Sequence, residues 1–171
     1  MSTETSHAYQ EAMTLAETGQ YQEAFDLIQT YLVQNPEDAE ALNDTAVLLH
    51  CMNRSHESID YLVRARTLAG DAPEIVWNLA EAYLAEARAH EARPLLQLMA
   101  EQETVTADIL NRAARVFIDQ DELDAATELL NWSLDLCSDQ ELLRPMIEII
   151  ESKKSSPSRT LASTTSGSGP Q

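Results

Sequence analysis

The sequence is poor in the residues that interrupt helices or cross-link chains. Its 171 residues include only 4 glycines, 6 prolines and 2 cysteines. Cys51 and Cys137 lie far apart in helical segments. No disulfide framework is implied, and reduced, buried thiols are expected. No apolar run is long enough to cross a membrane as a helix. The start, Met-Ser-Thr-Glu-Thr-Ser-His, has neither a basic stretch nor an apolar one, so a secretory signal is not expected and a cytoplasmic location is. Cations are scarce: 11 Lys and Arg stand against 29 Asp and Glu, for a net charge of −18. Residues 1–151 hold all 29 acids and 8 arginines, a net charge of −21, while Lys153, Lys154 and Arg159 give residues 152–171 a charge of +3. Such a body repels phosphate backbones, so neither nucleic acid nor membrane is an expected partner. Its acids read first as a solubilising surface.

Catalytic signatures are missing too. There is no glycine-rich phosphate loop, no metal-protease helix and no nucleophile elbow, and the scattered acids form no acid–base pair. No enzyme, cofactor or metal site is expected. His50-Cys51 with His56 is the nearest approach to a metal motif. Adjacent helical residues point about 100° apart, so His50 and Cys51 converge poorly on one ion. A groove-facing His50 and a packed Cys51 are expected instead. His7 and His90 have no suitable partners nearby.

What the chain does have is a period. Ala12, Ala46, Ala80 and Ala114 stand 34 residues apart. Twelve residues after each comes another small residue, Ala24, Ser58, Ala92 and Ala126, and four further on a large apolar one, Ile28, Leu62, Leu96 and Leu130. With each repeat numbered 1–34 from Thr5, Ala39, Pro73 and Ala107, apolar residues recur at helical spacing in two runs per repeat. Such a period predicts an all-α solenoid of four antiparallel helix pairs. Small residues at positions 8 and 20 let paired helices meet closely, and a large side chain there costs about 1–3 kcal/mol by overpacking.

The breaks between helices carry turn chemistry. Gly19, Asn53 and Asp121 hold position 15, where positive φ is tolerated, and Ala87 is the weakest signal of the four. Asn35-Pro36 and Gly70-Asp71-Ala72-Pro73 separate repeats, and Thr104 and Thr106 are candidate caps. Helices are predicted near 5–18, 21–34, 39–52, 55–69, 73–86, 88–102, 107–119 and 122–137. Pro94 is expected to kink or loosen the sixth. A capping helix over 139–151 is expected to present Leu142, Leu143, Met146, Ile147 and Ile150 on one face, or to shorten to 145–152 with Pro145 in its first turn. The domain is thus 5–151, with repeats 5–38, 39–72, 73–106 and 107–140. Residues 152–171, rich in Ser, Thr, Gly and Pro, read as a disordered tail.

The column pattern resembles the tetratricopeptide repeat over residues 5–140. The third repeat matches best, with Leu79-Ala80, Tyr83, Ala92 and Leu96. The first keeps Gly19, Tyr21, Glu23-Ala24 and Pro36; the second has Leu42, Ala46, Leu49, Glu57-Ser58, Leu62 and Ala65; the fourth has Leu110, Ala113-Ala114, Phe117, Leu123, Ala126 and Leu130. The chain departs from the family in having Ala at the usual Gly of position 8 and Pro at position 32 only once. The resemblance implies a right-handed superhelix with a concave groove. The groove, lined by the first helix of each pair, holds a peptide or partner helix, and such modules rarely catalyse.

In this register, positions 2, 5, 6, 9, 12 and 13 face the groove. They supply Tyr9 and Met13; Asn43, Val47 and His50; Trp77, Asn78, Glu81 and Leu84; and Asn111, Arg112, Arg115 and Ile118. Asparagine bonds both donor and acceptor of a peptide backbone, and Trp77 offers a large apolar contact. Arg112 and Arg115, one turn apart, either grip a carboxylate or phosphate or neutralise Glu81, Asp108 and Asp119. Some family members clamp a C-terminal carboxylate with two lysines, two asparagines and an arginine. Asn78 and Arg112 match two of those positions, but Asn43, Val47 and Asp108 hold the others, and Asp108 repels such a ligand. Trp132, Tyr31, Tyr61 and Met99 read as packing residues. The expected function is a scaffold or adaptor for a protein or peptide. The alternatives are a secretion-type chaperone shielding an apolar segment of an exported protein, and a self-assembling homo-oligomeric scaffold.

Overall fold

The computed structural model describes residues 3–155, with side chains from His7 onward. Nine α-helices are found among them: α1 Thr3–Glu17, α2 Tyr21–Gln34, α3 Ala39–Cys51, α4 Ser55–Ala69, α5 Pro73–Ala85, α6 Ala89–Glu101, α7 Ala107–Asp119, α8 Leu123–Leu136 and α9 Leu143–Ser155. The helices pack in pairs, α1 with α2 through α7 with α8, each pair stacks on the next, and α9 packs on α8.

The turn inside each pair is the same closure built four times. Gly19, Asn53, Ala87 and Asp121 all take positive φ, between 55° and 80°. The amide after each reaches back five residues to a helix carbonyl: Gln20 to Leu15, Arg54 to Leu49, Arg88 to Tyr83 and Glu122 to Phe117, at 2.8–2.9 Å. This is the Schellman closure, which satisfies carbonyls left open at a helix end. Ala87 adopts it without a glycine's freedom, at a cost of roughly 1–2 kcal/mol. The odd helices start differently. Asp38 caps α3 by accepting from the Ala41 amide, Thr106 caps α7 by accepting from Ile109, and Pro73 stands in the first turn of α5. Thr104 is not a cap, since its hydroxyl bonds the Met99 carbonyl.

The two small-residue columns form the floor between paired helices. Ala12, Ala46, Ala80 and Ala114, and Ala24, Ser58, Ala92 and Ala126, are all at most 1% exposed. Ile28, Leu62, Leu96 and Leu130 lie buried beside them, with Phe117 and Met99. Tyr31 is buried, and Tyr61 and Trp132 are half-buried.

Three expectations need correction. Cys51 and Cys137 are free but exposed, because each sits at or just past a helix end where no neighbouring helix covers it. The closing helix starts at Leu143, not 139, and runs through Ser155, so Ser152–Ser155 belong to it rather than to the tail. Pro145 stands in its first turn, where a missing N–H costs nothing. Leu143 and Ile150 are buried and Met146 and Ile147 half-buried, but Leu142 is 83% exposed, since it precedes the helix and points away. α6 contains Pro94, as the sequence places it, and spans Ala89–Glu101. The tail from residue 156 lies outside the described residues.

Candidate functional site

Successive odd helices touch, α3 with α5 and α5 with α7, while no pair of even helices packs to that extent. Helices on the inner side of a curved stack are the closer ones, so the odd helices line the concave face. Positions 2, 5, 6 and 9 follow i, i+3, i+4, i+7 spacing and form one stripe per helix. On α3 the stripe is Glu40, Asn43, Asp44 and Val47; on α5 it is Glu74, Trp77, Asn78 and Glu81; on α7 it is Asp108, Asn111, Arg112 and Arg115.

A ladder of polar bonds joins these stripes. The Tyr9 hydroxyl donates to Asp44 Oδ2. Asn78 Nδ2 donates to Asn43 Oδ1 at 2.9 Å, and Asn43 Nδ2 to Glu74 Oε1 at 3.2 Å. Arg112 Nη1 bonds both carboxylate oxygens of Glu81. Asn111 Nδ2 donates to Gln140 Oε1 at 2.7 Å, and Gln140 in turn donates to the Ser133 carbonyl and hydroxyl.

Between α3 and α5, with α4 beneath, the stripe opens into a pocket of about 180 Å³, lined by Ala46, Val47, His50, Ser58, Leu62, Trp77, Asn78, Glu81 and Ala82. Five groove residues expected from the register thus converge: Val47, His50, Trp77, Asn78 and Glu81. Val47 is exposed and Trp77 half-buried. His50 is exposed, with Nδ1 3.0 Å from Ser55 Oγ.

The other expected residues lie elsewhere on the face or beneath it. Tyr9 and Met13 are half-buried against the core, and Tyr9 stacks at a tilt on Tyr31 with ring centroids 5.1 Å apart. Asn111 and Ile118 are half-buried. Arg115 is exposed and makes no ion pair among the described residues. Asn43 and Leu84 are corrections. Asn43 is 4% exposed and spends its amide inside the ladder, and Leu84 is 5% exposed and belongs to the core. Arg112 does not stand free, because Glu81 holds it.

Sequence reasoning missed Asp44, which shares position 6 with Asn78 and Arg112. Burial raises its carboxyl above the ordinary carboxylate range; the Tyr9 hydrogen bond opposes this, and Glu40 and Glu74 add to it. Burial and the bond to Asp44 also push the Tyr9 hydroxyl far above the usual tyrosine value. Tyr31, chiefly through its bond to Asp38, is pushed up to about 12. No group of three or more His, Cys, Asp or Glu among the described residues could hold a metal ion. No described helix is long and apolar enough to cross a membrane.

The sequence matches no family model and no curated protein sequence. Solved structures do match. The crystal structure of MamA has 18% identity and a TM-score of 0.76, covering 88% of this chain and 82% of that one. MamA from Desulfovibrio magneticus RS-1, residue 41 to the end, has 12% identity and a TM-score of 0.75, covering 90% and 87%. YrrB, described as a TPR protein with an unusual peptide-binding site, has 19% identity and a TM-score of 0.73, covering 84% and 74%. The fold is the tetratricopeptide-repeat solenoid. In it the pocket between α3 and α5 occupies the concave face of a tetratricopeptide stack, and α9 closes the last pair.

Proposed function

We propose that this tetratricopeptide solenoid is a non-catalytic scaffold or adaptor that binds an extended or helical segment of another protein on its concave face. The carrying observation is the pocket between α3 and α5, where Val47 is exposed and Trp77 only half-buried on an otherwise polar stripe. Tryptophan is enriched in binding hot spots, and binding sites are mostly apolar concavities. YrrB, similar in fold, is described as having a peptide-binding site. A cytoplasmic setting follows this reading. The test is selection from a phage-displayed random peptide library on the full chain. Peptides are expected that bind the wild type and lose the Trp77→Ala variant; if selected peptides bind both equally, the concave face is not the binding surface.

A secretion-type chaperone uses the same groove with an apolar cargo, and should co-purify with an otherwise insoluble protein. Self-assembly is favoured by one separate observation. Pro145 and Ile149 are exposed on α9, as are Leu142 just before it and Leu136 at the end of α8. It predicts concentration-dependent mass in light scattering, and a mass constant across dilution removes it.

A further inference from the structure

Each polar side chain of the pocket wall already makes a bond within the fold. His50 is bonded to Ser55, Ser58 donates to the Ser55 carbonyl, Asn78 donates to Asn43, and Glu81 is held by Arg112. The rest of the lining is Ala46, Val47, Leu62, Trp77 and Ala82. His50 Nε2 and Asn78 Oδ1 remain for a polar contact, but most of the wall offers an occupant apolar contact. The volume, about 180 Å³, matches a single ring or branched aliphatic group, since a dry cavity of ~150 Å³ holds benzene.

One turn away the chemistry reverses. Asp44 precedes Val47 by three residues on α3, Glu40 lies one turn before Asp44, and Glu74 lies one turn before Trp77 on α5. The ladder ties the two zones together, running from Asn78 in the pocket wall through Asn43 to Glu74. No cation pairs with Glu40, Asp44 or Glu74 among the described residues, although most of the body's arginines do pair with acids elsewhere. Glu40 and Glu74 stand in first turns, where the helix dipole favours acids. Asp44 is in the second turn and half-buried, so it gains little there; burial and its two acidic neighbours disfavour its charge, and the bonds from Tyr9 and Asn43 offset this only in part. An incoming cation relieves all three at once.

We propose that the bound segment places a bulky apolar side chain in the Val47–Trp77 pocket and a lysine or arginine, about one helical turn away, against Glu40, Asp44 and Glu74. This rests on the reading of the concave face as the binding surface. It excludes acidic peptides and the C-terminal carboxylate ligands that a basic groove would take.

The experiment is the same phage-displayed library, selected in parallel on the full wild-type chain, on Trp77→Ala and on the triple variant Glu40→Gln, Asp44→Asn, Glu74→Gln. The triple variant removes mutual repulsion while keeping shape, and an unchanged far-ultraviolet circular dichroism spectrum checks its fold. Wild-type binders are expected to pair a Lys or Arg with a large apolar residue, to weaken with added salt and to lose about tenfold or more in affinity for the triple variant. Trp77-dependent binders without basic enrichment, or with affinity unchanged by the triple variant, overturn this inference while leaving the groove reading intact. Binders indifferent to Trp77, or none at all, overturn both.

Discussion

The seam between α3 and α5 and the seam between α5 and α7 are built from the same columns, yet one is open and the other is tied. At the first, position 9 is Val47 and position 6 of the next repeat is Asn78. Valine offers no partner, so Asn78 reaches back to Asn43 at position 5, and a pocket remains beside Val47. At the second, position 9 is Glu81 and position 6 is Arg112, and the long guanidinium spans the seam. Between α1 and α3 the position-6 residue is Asp44, which takes the Tyr9 hydroxyl at position 5. Position 6 thus acts as the residue that ties each repeat to the one before it, and its length and charge decide whether the groove stays open. Each repeat contacts only its neighbours, so position 6 can differ from seam to seam without disturbing the stack.

The largest effect expected lies beneath the tied seam. Phe117 is fully buried, with its ring edge-on to His90 at a centroid distance of 5.3 Å. Phe117→Ala should cost about 3–5 kcal/mol in urea unfolding. Repeats contact only their neighbours, so hydrogen exchange should show α7 to α9 losing protection first while α1 to α4 keep theirs. Equal loss in every helix would mean that the two seams are not energetically separable.

Next comes the open seam. Trp77→Ala should weaken a library-selected peptide by about 2 kcal/mol, roughly 30-fold, as read by fluorescence anisotropy. Arg112→Ala, which reaches the pocket only by releasing Glu81 at its edge, should change the same affinity far less. If the two variants weaken binding alike, the pocket is not the centre of the interface and the contrast between the seams carries no functional meaning.

How much of this contrast was legible beforehand follows from what a repeat pattern encodes. The period placed all eight paired helices within two residues at either end, because small residues at positions 8 and 20 and the turn at position 15 are local requirements that each repeat meets by itself. Position 15 takes the same conformation at Ala87, the weakest signal of the four, because the Arg88 amide closes on the Tyr83 carbonyl within that repeat. The closing helix was less legible because no repeat frames it, and Leu142 fell outside it. On the groove, the column identifies a face but not how deeply the next repeat covers it. His50 and Leu84 share position 12, yet one is exposed and the other is core. Asp44 was invisible as one acid among 29, and only its half-burial under Tyr9, between Glu40 and Glu74, sets it apart.

A double-mutant cycle on Arg112 and Glu81 measures the tie itself. Arg112's side chain is 44% exposed and that of Glu81 16%. Solvent screens such a pair, so Arg112→Ala, Glu81→Gln and the double variant should give a coupling energy of about 0.2–1 kcal/mol, falling with salt. A coupling near zero would leave the closed seam a matter of packing rather than charge.

The smallest effect separates the acidic seam from the rest by pH. Burial, with Glu40 and Glu74, raises the Asp44 carboxyl in the folded chain above its ordinary value of 3.8. The folded state therefore takes up this proton more readily than the unfolded chain. Asp44's contribution to stability is most favourable below the ordinary value and is lost as pH rises through the folded one. Asp44→Asn has no proton to lose and keeps an oxygen that accepts the Tyr9 hydroxyl. Urea midpoints for wild type and variant, measured from about pH 4 to 7, should show the variant gaining on the wild type as pH rises. The acids elsewhere are common to both chains and cancel in the difference. A difference independent of pH would mean that the carboxylates of α3 and α5 do not crowd one another, and the acidic end of the open seam would then have no unmet charge to offer a partner.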